Sequence, residues 1–362
     1  MFGGKKNILD SLRMVWAIAG KDIVDGLRNR TVWRYMFIVA LIMVGYQYLP
    51  MLGQAGEVEI VVYDQGESRL VEALQSSDRH EVRVVTTMHE FDSYMDDGDE
   101  GELGIVIPPG YDQALRTSDP ITLEGYVLWS SRSRVDKLIP EYEATFSEMM
   151  GQEVQIQVQG EVLPGPDSMG DTRMAALAPL LTVLIVGMMT VPTLMFEEKK
   201  TQALSTLLVS PAEIGHVIAG KAIAGAVYCL STGMIVLAFN WVSIVNWELA
   251  IAALIGSMLL GVGLGLALGT YLETEKKLSV WSPILFQPII IPAVMFAIEP
   301  IFPQVVRDVL PWIPNVALAK LFHNSQTSLA AQDVHWGGLI VLAATIALQF
   351  VATSWKVRRL DQ

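Results

Sequence analysis

Residues 174–196 read MAALAPLLTVLIVGMMTVPTLMF, and no charged side chain interrupts them. A helix needs about twenty mostly apolar residues to cross the hydrocarbon core of a bilayer, so this stretch predicts a transmembrane span. Other apolar runs of similar length are found at residues 33–52, 222–245, 249–272, 280–298 and 336–355. The sequence therefore predicts a polytopic α-helical membrane protein with six transmembrane helices.

The composition of the chain agrees with this prediction. Of its 362 residues, 52% are hydrophobic and 17% are charged, whereas about a quarter of the residues in a soluble domain are charged. The net charge of −13 is unevenly distributed, because residues 53–173 hold 25 acidic and 8 basic residues, or −17, which leaves +4 for the rest. One acidic block in an apolar chain argues for two environments and against nucleic-acid binding.

The acidic block, residues 53–173, has the pattern of a folded domain. Strand-like runs such as Val58–Tyr63 and Gly104–Ile107 are interleaved with helix-like runs such as Val135–Met150. Strands that alternate with helices favour an α/β domain. We therefore predict an α/β domain inserted between the first and second spans, with residues 174–362 forming the rest of the transmembrane domain.

The distribution of basic residues predicts the orientation. Short segments on one side of the six spans are rich in lysine and arginine, while those on the other side hold only Arg307 and Lys320. The positive-inside rule then places both termini in the cytoplasm and residues 53–173 outside the cell (inner) membrane. The first long apolar run begins only at Trp33, so we expect an uncleaved anchor rather than a signal peptide.

Residues 1–32 precede the first span and contain an amphipathic helix, predicted over Ile8–Leu27. Its apolar residues recur at three- and four-residue steps, with charges on the other face. We expect this elbow helix to lie in the membrane interface, with Trp16 in the apolar layer and Lys21 and Arg28 near the lipid headgroups. An ordinary solvated helix packed on a partner is the alternative.

Few polar side chains interrupt the predicted spans. Ionisable residues within a membrane usually mark ion or proton pathways, so their scarcity argues against a proton-coupled transporter and favours a machine driven by a soluble motor. The candidates for a translocation path are Asn240, Gln287 and Glu299. Hydrogen bonding between neighbouring helices is the alternative role of Asn240 and Gln287.

Three glycines recur at every fourth position of the fourth predicted span, namely Gly261, Gly265 and Gly269. Small residues at this spacing allow two helices to approach closely. The partner helix is either in the same subunit or in a second one.

No catalytic, nucleotide or metal site is recognisable in the sequence. Gly20-Lys21 and Gly220-Lys221 lack the preceding glycine and the following Ser or Thr of a P-loop. The single cysteine, Cys229, allows neither an intrachain disulfide nor a cysteine-based metal site. We expect no enzyme activity, metal or cofactor in this chain, so that any ATP is bound by another chain.

The segment between the second and third spans lies on the predicted cytoplasmic side. Residues 197–221 read EEKKTQALSTLLVSPAEIGHVIAGK and combine a charged start, an amphipathic turn and a Ser-Pro break. Such a coupling segment can place a short helix in a groove of a cytoplasmic partner. On the other side, the apolar, proline-rich residues 298–323 predict a segment that re-enters the outer leaflet, with Asn315 capping a short helix over Val316–Phe322.

This ordered layout resembles ABC-2-type transporter permeases, in particular the sodium- and drug-exporter-like branch with a large outside domain after the first span. In the coupling segment the matching residues are Glu197, Glu198, Lys199, Lys200, Leu207, Leu208, Ser210, Pro211, Gly220 and Lys221. Gln202 and Ser205 stand where the family usually has Gly and Glu. Residues 20–30 resemble the elbow helix of the family, and residues 310–315 resemble its outer re-entrant segment.

The resemblance implies a permease subunit that exports its substrate with ATP hydrolysed, together with Mg²⁺, on two copies of a separate ABC ATPase. A second permease, either the same chain or a sister chain, would complete the transporter in the lipid bilayer. The residues expected to couple to the ATPase are Glu197, Glu198, Leu207, Leu208, Ser210 and Pro211. The alternative is a non-transporting membrane receptor or assembly scaffold, and sodium, drugs and lipids all stay open as substrates.

Overall fold

The computed structural model describes residues 8–28, 58–66, 68–77, 80–97, 103–115, 121–165, 171–200, 214–272, 274–327 and 334–360, and the single residues 33, 37, 41 and 45. Most of the first predicted span, residues 33–52, therefore lies outside the described residues. The described parts form an α/β domain and a bundle of long apolar helices.

Helix α1 (Ile8–Arg28) begins the described chain, and the α/β domain follows it. The elements of this domain, in chain order, are β1 (Val58–Asp64), α2 (Arg69–Gln75), β2 (His80–Val85), α3 (Met88–Asp97), β3 (Leu103–Ile107), α4 (Tyr111–Ala114), β4 (Ile121–Leu128), α5 (Val135–Met150) and β5 (Val154–Val162). A 3₁₀-helix, Trp129–Arg134, connects β4 to α5.

The five strands form one mixed sheet in the order β2-β1-β3-β4-β5. Strand β1 is parallel to both β2 and β3, whereas β4 is antiparallel to β3 and parallel to β5. Ile60 and Val62 of β1 pack with one apolar cluster, and Val61 packs with a second cluster on the opposite face. Because both faces of β1 are covered in its middle, the apolar residues from Ile60 to Tyr63 follow one another without interruption.

Five of the described helices are long and apolar enough to cross a membrane. They are α6 (Asp171–Lys200), α7 (Ile214–Phe239), α8 (Trp247–Tyr271), α9 (Glu275–Ala297) and α12 (Trp336–Leu360). Helix α6 is the centre of the bundle. In its most apolar stretch 83% of the residues are buried, compared with 17% in the corresponding stretches of α9 and α12. Helices α9 and α12 are therefore peripheral in this single chain.

Helix α7 differs from the span predicted at residues 222–245. It begins at Ile214 and ends at Phe239, so Ile214–Lys221 belongs to the same helix as the apolar run. The following residues form a turn, in which the backbone N–H groups of Val245 and Asn246 donate to the carbonyl of Ser325 at 2.8 and 2.9 Å. The predicted end at Val245 was wrong, because an apolar run shows which residues are buried but not where the helical hydrogen bonds stop.

Two short helices lie between α9 and α12, namely α10 (Gln304–Val309) and α11 (Pro314–Asn324). Helix α11 packs against α6, α8, α9 and α12, and most of its residues are buried. Its backbone is therefore enclosed by protein, which the predicted re-entrant segment would require. The predicted cap was wrong, since Ile313 precedes the helix and Pro314 opens it, while the Asn315 amide donates to the carbonyl of Ile289 at 2.6 Å.

Candidate functional site

A buried ion pair connects α1 to the bundle at the end of α7 that follows the coupling segment. The ammonium of Lys221 lies 3.1 Å from a carboxylate oxygen of Asp22 in α1. The same ammonium donates to the carbonyl of Leu194 in α6 at 2.8 Å. The side chains of Lys221 and Asp22 are 2% and 7% exposed. One lysine thus joins three helices in a site from which water is largely excluded.

Small residues let α1 and α7 lie close together beside this pair. A Cβ atom added to Gly220 would meet Cγ2 of Ile18 at 2.7 Å, and one added to Gly26 would overlap the Tyr228 ring. The Tyr228 hydroxyl donates to the carbonyl of Ile23 at 2.7 Å. We call the Asp22–Lys221 pair with its Tyr228 contact to α1 the elbow clamp.

The other face of α1 is open. Trp16 is 62% exposed, and apolar neighbours such as Leu12 and Leu27 are about half exposed at 51% and 49%. Lys21 and Arg28 are exposed as well. The residues predicted for the membrane interface therefore all lie away from the clamp.

The sequence analysis did not single out Asp22 or Tyr228. A signal for Asp22 was present, because it follows Ala19 by three positions and precedes Gly26 by four, which places an acid on the buried side of an amphipathic helix. An acid at such a position requires a partner, but the sequence does not show which residue supplies it. Nothing in the sequence pattern marks the hydroxyl of Tyr228.

The predicted coupling segment begins and ends at the clamped helices. Glu197 and Glu198 lie in the last turn of α6, and α7 begins at Ile214. The other predicted coupling residues, Leu207, Leu208, Ser210 and Pro211, lie outside the described residues. The segment 201–213 therefore joins the two helices that Lys221 ties together.

A second buried charge cluster lies at the opposite end of the bundle. Glu299 accepts from Arg173 of α6 at 2.9 Å and pairs with Lys320 of α11 at 3.2 Å. Arg173 also donates to the carbonyl of Phe296 at 3.1 Å. Charge-assisted bonds of this kind are among the strong ones in proteins. The cluster therefore fixes the start of α6, the end of α9 and the short helix α11 together.

The three residues predicted to line a translocation path lie in different surroundings. Glu299 belongs to the charge cluster just described. Asn240, 2% exposed, donates to the carbonyl of Val236 in the preceding turn at 3.1 Å. Gln287 is exposed on α9.

The exposed face of α9 forms a continuous stripe. Its members follow one another at alternating steps of four and three residues, and we call them the α9 stripe: Val280, Ile284, Gln287, Ile291 and Val294, with Ile298 directly after the end of the helix. This spacing is typical of a helix seam that packs against another helix. Gln287 is the one polar member, at the middle of an apolar surface.

The glycines of α8 pack against α6 of the same chain. A Cβ atom at Gly261 would meet the Val183 carbonyl oxygen at 3.2 Å, and one at Gly265 would collide with the backbone of Gly187. At Gly269 it would meet Cα of Pro192 at 3.1 Å. The sequence left the partner of these glycines open, and the structure places it within the subunit.

The α/β domain contacts the turn between α7 and α8. Arg132, in the 3₁₀-helix after β4, donates to the carbonyls of Val242 and Trp129. Its guanidinium also stacks on the Trp129 ring, 3.6 Å from the ring centre. The domain is thereby held at the end of the bundle opposite to segment 201–213.

Among the residues that the structure describes, no group of three His, Cys, Asp or Glu side chains is placed to hold a metal ion.

The fold defines a class of protein, a polytopic helical membrane protein with a short buried helix between its last two long helices and a mixed-sheet domain. Residues 30–355 match the family model described as ABC-2 family transporter protein, and the chain belongs to this family. No curated protein matches the chain. The family predicted from the sequence is confirmed, and the chain is the membrane-embedded permease component of an ABC transporter. Membership of this family implies an ABC ATPase as partner.

Proposed function

We propose that this chain is the permease subunit of an exporter and moves its substrate outward with ATP hydrolysed, together with Mg²⁺, by two copies of a separate ABC ATPase. The observation that carries the proposal is the position of segment 201–213. It connects two helices that Lys221 ties together, so a force applied to this segment reaches α6, α7 and α1 at once. The chain itself supplies the pathway and no nucleotide site.

The proposed orientation has both termini in the cytoplasm and residues 53–173 outside the inner membrane, with residues 33–52 as the first of six spans. Two observations support it. The α/β domain and segment 201–213 lie at opposite ends of α7. At the end of α12, Arg359 stacks on Trp355 at 3.8 Å and Lys356 lies over Tyr271 at 5.7 Å, an aromatic and basic pattern typical of a cytoplasmic membrane boundary.

The α9 stripe supports a second permease subunit, a copy of this chain or a sister chain. A polar side chain that faces lipid is costly, and amide side chains in membranes usually bond across helices. We place Gln287 where the α9 helices of two subunits face each other along the path. If lipid alone surrounded α9, Gln287 would not bond across a subunit interface.

Exchanging Leu207 and Leu208 for aspartate is expected to abolish co-purification of the ATPase. The sequence predicts that the two leucines lie on the apolar side of an amphipathic turn, and two charges there cannot enter an apolar groove. Affinity capture of the tagged full-length chain from membranes, followed by quantification of the bound ATPase, measures the effect.

The matched control is the pair Ser205→Asp and Thr206→Asp, which adds the same charge to the same segment but at polar positions. The control is expected to retain the ATPase. Equal retention of the ATPase by the leucine variant and the wild type would refute the coupling role of this segment.

A further inference from the structure

We propose that the elbow clamp makes α1 move as one rigid body with the coupling ends of α6 and α7 during the ATP cycle. This inference rests on the proposed function, because it assigns a positioning role in the transmission of force from the ATPase. Asp22 and Lys221 are the residues that carry it, and neither contacts the substrate in the proposal.

The burial of the pair is the first argument. Moving two charges out of water is costly, and replacing a buried ion pair by apolar residues is often neutral for stability. The side chains of Lys221 and Asp22 are 2% and 7% exposed. The pair is therefore better explained by a role in positioning α1 on α7 than by a gain in the free energy of folding. It favours one register of α1 on α7, since sliding by a full turn, about 5.4 Å, would separate the charges.

The number of connections is the second argument. Lys221 belongs to α7 and bonds both Leu194 of α6 and Asp22 of α1. One side chain therefore joins α6 and α7, the two helices that flank segment 201–213, and connects both of them to α1. Two turns further along α7, the Tyr228 hydroxyl bonds the backbone of α1 at Ile23. The two contacts start from different heights on α7 and reach neighbouring residues of α1, so together they resist rotation as well as sliding.

The surroundings of α1 are the third argument. Within the described residues, α1 packs mainly on α7, and its opposite face is open and apolar, with Trp16 at 62% exposure. A helix with one firm protein contact follows the motion of that contact. Movement of the α7 base would therefore displace α1 within the membrane interface.

Two spin labels measure this rigidity directly, at Lys21→Cys on α1 and Gly215→Cys at the start of α7, in a Cys229→Ala background. Lys21 is exposed, and a Cβ atom at Gly215 meets nothing within 4 Å, so both sites accept a label. The full-length chain is captured with its ATPase and reconstituted in vesicles. The label distance is then recorded without nucleotide and with ATP.

The expected result is one narrow distance that is the same in both states. The double variant Asp22→Asn and Lys221→Met removes both charges of the clamp. In this variant the label distances should form a broad distribution, or one that changes with ATP. The control is Asp10→Asn with Arg13→Met, which removes an exposed ion pair of 3.8 Å on the same helix and should keep the narrow distance.

A label distance that changes with ATP in the otherwise unaltered complex overturns the clamp, whether or not the double variant folds. A double variant that keeps the narrow distance in both states overturns it too. If the wild-type chain captures no ATPase, both the proposed function and the proposed role of the clamp are wrong. If it captures the ATPase but the label distance changes with ATP, only the proposed role of the clamp is wrong.

Discussion

Replacing Glu299 by glutamine is expected to lower the free energy of unfolding by about 3 to 5 kcal/mol. The substitution keeps the shape of the side chain but removes the one carboxylate that Arg173 and Lys320 share. Arg173, 4% exposed, would keep its charge in a site that water does not reach. Unfolding of the purified chain in mixed micelles, or its thermal midpoint in detergent, measures the loss.

Two variants separate the buried charge from a general effect of substitution. Asp308→Asn changes an exposed acid in the neighbouring helix α10 and is expected to cost less than about 1 kcal/mol. The double variant Glu299→Gln and Arg173→Met removes both buried charges of the cluster, and the remaining Lys320 is 29% exposed. It should recover much of the stability. A single variant as stable as the wild type would show that the cluster does not fix α11.

The second large effect is expected at the contact between α6 and α8. Exchanging Gly265 for alanine should lower the free energy of unfolding by about 1 to 3 kcal/mol, because the added methyl group overpacks a filled space. The new atom would collide with the backbone of Gly187 and lie 2.9 Å from Cβ of Val191. Backbone atoms in two helices cannot yield as a flexible side chain does.

The same chemical change at Gly215 provides the control. A Cβ atom there meets nothing within 4 Å, and alanine is favoured over glycine in a helix by up to about 1 kcal/mol. The stability of the two alanine variants should therefore change in opposite directions, as measured by the unfolding midpoint. A stable Gly265→Ala variant would show that α6 and α8 are further apart than described.

The elements that could be predicted from the sequence are those with a simple local pattern, either apolar residues at helical spacing or a long run without charges. The amphipathic pattern of α1 gave Ile8–Leu27, within one residue of the observed helix. Long uncharged runs revealed the helices of the bundle, and α6 extends beyond its run only at the charged ends. These patterns are readable because each reports one local property, the side of the helix that avoids water.

Strand β5 was missed although residues 154–159, VQIQVQ, alternate apolar and polar side chains, which is a strand signal. The alternation places Val154 and Ile156 in the core of the α/β domain, but it does not reveal the pairing with β4. Pairing between strands distant in sequence is invisible to a window that slides along the chain.

The partners of charged residues could not be derived from the sequence. Asp22 and Lys221 are 199 positions apart, and Arg173 and Glu299 are 126 apart. Each residue alone looked like an ordinary charge near the end of a span. Only the packing of α1 on α7, and of α6 beside α9, brings these charges together and explains why they are tolerated away from water.

The glycines show the same limit in a different form. Their spacing predicted a close approach of two helices, and Gly261 and Gly265 do face another helix closely. The spacing carries no information on which helix is approached, since α6 and a second subunit would require the same small residues. The choice follows from the central position of α6, which is a property of the whole bundle.

Capture of the tagged full-length chain from its native membranes tests the central claim most directly. We expect an ABC ATPase in the captured complex, ATP hydrolysis by that complex, and loss of all hydrolysis when the ATPase is stripped from the chain. Hydrolysis of ATP by the purified chain alone, or capture without any ABC ATPase, would contradict the claim that this protein is a permease driven by a separate motor.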